Sequence, residues 1–153
     1  MSKAVKLSVV LNTKNSQRFL RECLQSVKTI ADEIVIVDMK STDNTLKIAR
    51  EFGAKIYQSP HPNVGYADPA REFAFAKAQG EWIFMIDSDE NISQQLAALI
   101  KKIALGQPTN LPVVDAYFIA RRNIIFGKAI EKAGWYPDYQ MRLWKKGVIK
   151  WRP

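Results

Sequence analysis

Four short apolar runs, each followed by a stretch of helical periodicity, fill the first 110 residues, and this alternation restricts the fold more than any other feature. Val5–Leu11 reads as a buried strand. Ser16–Thr29 sets Phe19, Leu20, Cys23, Leu24 and Val27 on one helical face, with Asn15 or Ser16 as N-cap. Glu33–Val37 is a β-branched strand ending at Asp38. Thr42–Phe52 reads as a second helix that Ser41, Thr42 and Asp43 cap and Gly53 stops. Ala54–Gln58 is a third strand. Pro60, Pro62 and Gly65 mark a loop leading to a helix near Asp68–Gln79, closed by Gly80. Glu81–Ile86 is a fourth strand running into Asp87-Ser88-Asp89-Glu90. Ser93–Leu105 is a fourth helix, with Leu96, Leu99, Ile100 and Ile103 inward.

Four βα units in succession predict an α/β fold with a mainly parallel sheet and helices on both faces. Ligands of such sheets collect at the carboxyl ends of the strands. The polar residues Thr13, Asn15, Asp38, Asp87 and Asp89 all fall at those ends. Two carboxylates two residues apart, just past a strand, can converge on one hard divalent cation that would neutralise a diphosphate. Asp38 could accept hydrogen bonds from a base or ribose lying across the strand ends.

The pattern changes after Gly106-Gln107-Pro108. Val113–Ala120 reads as a strand, and Tyr139–Trp144 with Val148–Trp151 reads as a hairpin turning at Lys145-Lys146-Gly147. The chain is expected to be one domain over 1–153, with βα units in 1–110 and a basic, aromatic segment in 111–153. It stops just after a strand, so a C-terminally truncated domain is expected. The 153 residues carry a net charge of +8. Residues 1–110 hold 14 basic and 12 acidic residues, and residues 111–153 hold 9 and 3, beside Trp135, Tyr136, Tyr139, Trp144 and Trp151. Such a surface suits nucleic acid, an anionic membrane face or a phosphorylated substrate. No apolar stretch approaches the ~18 residues of a membrane span, and the start shows no targeting segment. With a single cysteine, Cys23, on an apolar helix face, these features point to the cytoplasm. His61, between two prolines, reads as exposed.

Three segments in register resemble one known family. They are Leu7-Ser-Val-Val-Leu-Asn-Thr-Lys-Asn15, Ala31-Asp-Glu-Ile-Val-Ile-Val-Asp38 with Ser41-Thr-Asp-Asn-Thr45, and Ala78-Gln-Gly-Glu-Trp-Ile-Phe-Met-Ile-Asp-Ser-Asp-Glu90. They resemble family-2 glycosyltransferases. Gly134-Trp-Tyr-Pro-Asp138 with Gln140-Met-Arg-Leu-Trp144 is similar to the lipooligosaccharide β-1,4-glucosyltransferase-like branch. The resemblance implies a GT-A, Rossmann-like sandwich, a nucleotide-diphosphate sugar donor (UDP-sugar), Mg²⁺ or Mn²⁺, and inversion at the anomeric carbon. By position, Thr13, Asn15 and Asp38 would hold base and ribose, and Arg71 would approach the base. Asp87 would touch the ribose and the metal, and Asp89 would bind the metal directly. Asp138 is the first choice of catalytic base and Glu131 the second. The resemblance makes 1–110 the nucleotide-binding units and 111–153 the acceptor-side segment; the implied acceptor is a glycolipid or polysaccharide at the inner membrane face, and no nucleic-acid partner is expected. Met39 and Lys40 stand where the family has a small residue and a glycine, and Glu72 where it often has asparagine.

Two other classes compete. A nucleotidyltransferase would want a glycine-rich phosphate loop, and Asn12-Thr13-Lys14-Asn15 has no glycine. A basic nucleic-acid module fits the tail charge, yet the acidic strand ends would repel phosphates.

Overall fold

The computed structural model describes residues 4–60, 68–131 and 136–150. Its elements, in chain order, are β1 (Leu7–Thr13), α1 (Leu20–Val27), β2 (Glu33–Asp38), α2 (Thr45–Glu51), β3 (Lys55–Gln58), α3 (Asp68–Lys77), β4 (Trp82–Met85) and α4 (Gln94–Ala104). Then follow β5 (Ala116–Arg121), β6 (Ile124–Ile125), β7 (Lys128–Ala129) and β8 (Asp138–Lys145). The four expected βα units are all present. Six strands form one sheet in the order β3-β2-β1-β4-β8-β5, and β6 and β7 make a separate two-stranded hairpin.

β1, β2, β3 and β4 run parallel, whereas β8 is antiparallel to both β4 and β5. The central strands are apolar on both faces because helices cover both. Val9, Leu11, Ile34, Ile36 and Phe84 pack on α1, α2 and α4. Val10, Val35, Val37, Ile83 and Met85 pack on the opposite side, against Ala70, Ala74 and Ala78 at α3. Alanines on that face bring α3 close to the sheet, and each larger buried side chain contributes about 1.5–3 kcal/mol. From β1 the chain first winds outward through β2 and β3, then returns to place β4 on the other side of β1. That reversal is a topological switch point, where open α/β sheets leave a crevice at the strand ends.

Several local readings are corrected. α1 starts at Leu20 after a turn, with Phe19 at its N-cap and no side-chain cap. Asn15 instead adopts φ 51, and Ser16 Oγ meets Ser88 Oγ at 2.9 Å; tertiary partners took both residues from the helix. Of the three residues read as capping α2, only Asp43 bonds its first turn, at Thr45 N, 2.9 Å. Gly80 does not stop α3 through left-handed backbone. A Cβ there would lie 2.6 Å from Ser8 N, so close packing on β1 explains the glycine. The tail hairpin does not form within the described residues. β8 pairs with β4 and β5, and 148–150 are not strand. A hairpin that was not anticipated, β6–β7, follows β5 instead. His61, Pro62, Gly65, Trp135 and Trp151 lie outside the described residues.

Candidate active site

β1, β2 and β4 deliver their polar termini to the same edge of the sheet, next to the switch point. Asp38 closes β2 and is 0% exposed. Its Oδ1 accepts from Thr13 Oγ1 at 3.0 Å and Ser41 Oγ at 2.6 Å, and its Oδ2 accepts from Ser41 N at 2.9 Å. Asn15 completes the link: its N donates to Ser41 Oγ at 2.9 Å, and its Oδ1 accepts from Thr42 N at 2.8 Å. Ser41 and Thr42, read from sequence as helix caps, therefore belong to this network. They tie the loop after β2 to the loop after β1, so Thr13, Asn15 and Asp38 do come together. Lys40 makes the turn between them with φ 58, a left-handed backbone that glycine takes without penalty and lysine at about 1 kcal/mol.

The acidic turn after β4 is organised by arginines. Arg71, from α3, donates to Asp87 Oδ1 at 3.0 Å. Arg142 donates to Asp87 Oδ2 at 2.8 Å and to Glu90 Oε1 at 2.7 Å. Its side chain is 8% exposed. Along β5 and β8 the register runs Tyr117↔Leu143 and then Phe118↔Met141. Arg142 is skipped, and is thus the extra residue of a β-bulge. Bulges beside functional sites re-aim a side chain, and this one turns a guanidinium out of an apolar strand toward the acids. Burial alone would raise the Asp87 carboxyl; the hydrogen bond and charge of Arg142, with Arg71 beside it, outweigh burial and hold it below the usual carboxylate range.

Farther along the same edge, Arg121 ends β5. It reaches Glu90 Oε1 at 3.5 Å and clasps Asp138 Oδ2 through Nε at 2.9 Å and a terminal nitrogen at 2.7 Å. Gln140 Nε2 donates to Asp138 Oδ1 at 2.7 Å. Hydrogen bonds from Gln140 and Arg121 hold the Asp138 carboxyl below its ordinary range. It is ionised but weakly basic, which reduces its power as a proton acceptor. Glu131 pairs with Arg122. Cys23 is buried under the acidic turn; burial, reinforced by the charges of Glu90, Asp89 and Asp87, pushes its thiol up to about 12. It is inert packing, as its helix face predicts.

Asp89 differs from its neighbours. It is exposed, and no hydrogen bond or ion pair engages it among the described residues. No group of three or more His, Cys, Asp or Glu is gathered for a metal among those residues. Magnesium-type ions, however, are commonly held by one or two carboxylates and completed by substrate phosphates. An open hard carboxylate at Asp89 fits that mode, in which a cation arrives with its nucleotide. Asp87, the other expected ligand, has both oxygens on arginines.

Glu90, Arg121 and Arg142 were not singled out from the sequence. The available signal was an arginine between Met141 and Leu143 in an otherwise apolar strand, since a buried arginine demands acidic partners.

Residues 8–150 match the family model described as Glycosyl transferase family 2. An uncharacterized glycosyltransferase of Rickettsia typhi is 38% identical over 98 residues, 64% of this chain and 32% of the relative. The lipopolysaccharide core biosynthesis glycosyltransferase LpsC of Rhizobium meliloti is 28% identical over 144 residues, 92% of this chain and 51% of the relative. The crystal structure of S. aureus TarS 1–349 in complex with UDP superposes with a TM-score of 0.54 and 32% identity, over 61% of this chain and 31% of that one. The chain thus spans a third to a half of the length of these relatives. With the parallel sheet, the switch-point acids and a family match over nearly its whole length, the chain has a GT-A fold and belongs to glycosyl transferase family 2.

Proposed function

We propose that this chain binds a UDP-sugar across the ends of β1, β2 and β4, and that it is the donor side of an inverting transfer to a glycolipid or polysaccharide hydroxyl. The observation that carries this reading is the contrast within one sheet edge. Asp38 is satisfied by hydroxyls and a backbone amide and Asp87 is paired with Arg71 and Arg142, whereas Asp89, two residues on, is left open to a cation that a diphosphate would bring. The TarS structure with UDP supports the nucleotide, and the name of LpsC supports a lipopolysaccharide-type acceptor.

In this reading Thr13, Asn15 and Asp38 fix the two loops over which base and ribose lie. Asp38 touches the base only when Ser41 releases it. Arg71 and Arg142 hold Asp87 oriented toward the ribose and supply positive charge near the pyrophosphate. Asp89 would hold a Mg²⁺ or Mn²⁺ ion, which when bound neutralises the leaving diphosphate. The acceptor oxygen attacks the anomeric carbon from the face opposite the diphosphate, the bond to the diphosphate oxygen breaks, and the hydroxyl proton passes to a carboxylate. Asp138 is assigned that proton, and its grip on Arg121 must loosen as the acceptor enters.

Thermal-shift measurements with UDP, with and without Mn²⁺, test the donor reading. A nucleotide-dependent rise in Tm that is larger with Mn²⁺ is expected, since a ligand bound only by the folded state stabilises it. Asp89→Ala should abolish the Mn²⁺ increment and leave the Tm of the unliganded chain unchanged. Stabilisation by oligonucleotides and not by UDP would contradict the reading.

A further inference from the structure

The β6–β7 hairpin carries an apolar tip that the donor site does not use. Its turn residues, Phe126 and Gly127, have φ 49 and 75, the type I′ geometry for which Asn-Gly is preferred. A bulky aromatic is disfavoured in left-handed backbone, so Phe126 stands there against local preference. Phe126 is 101% exposed, Ile124 68% and Ile125 40%. Behind the tip, Lys128 is exposed, Arg122 pairs with Glu131 and Arg121 with Asp138. Of the three basic residues in 121–131, Lys128 is the one that no ion pair engages among the described residues.

The hairpin's position gives this surface a meaning. β4 and β5 are both antiparallel to β8, so β5 ends at the edge that carries the acids. Arg121 belongs to that network, and two residues later Asn123 O accepts from Ile130 N at 3.0 Å, closing the base of the hairpin. An apolar tip on a basic base therefore projects from the ligand end of the sheet.

We propose that this hairpin inserts into the headgroup region of an anionic lipid bilayer and brings the acceptor side of the site to the membrane surface. Branched and aromatic side chains partition into that interface, while lysine and arginine are drawn by its negative surface potential. Exposed Lys128, beside Arg122 at the base of the same hairpin, selects an anionic surface over a neutral one. No helix of the described residues is long and apolar enough to cross a membrane, so the contact is peripheral. The inference rests on the reading that the acceptor is a glycolipid, but not on how the donor binds.

Co-sedimentation of the full chain with two vesicle types tests it: phosphatidylcholine alone, and phosphatidylcholine mixed equally with phosphatidylglycerol. The chain should sediment with the mixed vesicles and stay in solution with the neutral ones. Phe126→Asn is the decisive variant, because asparagine suits the left-handed turn and preserves the hairpin. It should weaken vesicle binding by about tenfold or more while the UDP-induced rise in Tm stays the same. Lys128→Glu should weaken binding by about fivefold or more. Equal vesicle binding by Phe126→Asn and the parent would overturn the proposal. So would sedimentation with neither vesicle, including a result in which Phe126→Asn only dissolves a dimer of the chain. If UDP gives no shift while Phe126-dependent vesicle binding persists, the donor reading falls and the docking stands.

Discussion

The two ends of the central sheet are both rich in charge, and they spend it differently. Where the parallel strands begin, Glu33 accepts from Ser8 Oγ and Gln79 N, each at 2.5 Å, and from Lys55 Nζ at 2.6 Å. Gly80 N in turn donates to Ser8 Oγ at 2.7 Å. Asp32 Oδ2 accepts from the backbone of Lys6 and Leu7 at 3.0 and 3.1 Å. Burial would raise the Glu33 carboxyl, but Lys55, Ser8 and Gln79 outweigh it and hold it below the ordinary range. Backbone amides, a hydroxyl and one lysine complete these anions, leaving nothing for a ligand. At the opposite end, the acids after β4 answer to three arginines from α3, β5 and β8, and Asp89 is left over. A cleft of about 350 Å³ bordered by Trp82, Leu105, Val114 and Tyr117 opens at the first end. Cavity shape therefore points away from the acids, and donor chemistry points toward them. The difference teaches that charge marks a site when it is left incompletely answered, not when it is merely abundant.

Substitutions at the two ends can break or sharpen this contrast. The largest effect on stability is expected from Gly80→Ala. Its Cβ would meet Ser8 N and Oγ at 2.6 Å, and a backbone clash of this kind costs about 3 kcal/mol. Urea denaturation should show the loss, while the folded fraction binds UDP with parental affinity. A parallel fall in UDP affinity would erase the distinction between the ends.

Arg142→Met should cost about 2 kcal/mol. Stranding two acids at a buried arginine would cost more, but Asp87 and Glu90 retain solvent contact that screens them. The pH dependence gives the sign. The folded-state pKa of Asp87 lies below its unfolded value, so its contribution is present above about pH 4 and is lost as pH falls through the lower folded pKa. The gap between variant and parent in urea titrations should therefore be widest near neutral pH and shrink in acid. A gap independent of pH would mean that Arg142 acts through packing alone.

The smallest effect belongs to Lys40→Gly, which relieves the left-handed backbone at φ 58 and should raise stability by about 1 kcal/mol. A destabilised variant would show that the lysine side chain secures the loop after β2.

Much of this molecule was legible before its coordinates. The βα units are readable because β1, β2 and β4 are apolar on both faces and each helix on one, and the ends of these three strands carry the polar residues. What escaped lies between elements. A bulge at Arg142 has no sequence period of its own, and the Met-Arg-Leu step reads as a strand with one misplaced charge. Ser41 and Thr42 read as local caps because their residue types favour capping, yet Asp38 at the end of β2 engages Ser41 and Asn15 in the loop after β1 engages both. Gly80 read as a helix stop because glycine ends helices often, while here contact with β1 decides. The tail hairpin does not form within the described residues because β8 is already paired on both sides, with β4 and β5.

The most direct measurement is a crystal soaked with UDP and Mn²⁺, with data collected at the manganese absorption edge. An anomalous peak is expected within coordination distance of Asp89, with the diphosphate between that ion and the arginines and the uridine over the edge formed by Thr13 and Asp38. A nucleotide bound in the cleft beside Trp82, or manganese distant from Asp89, would contradict it.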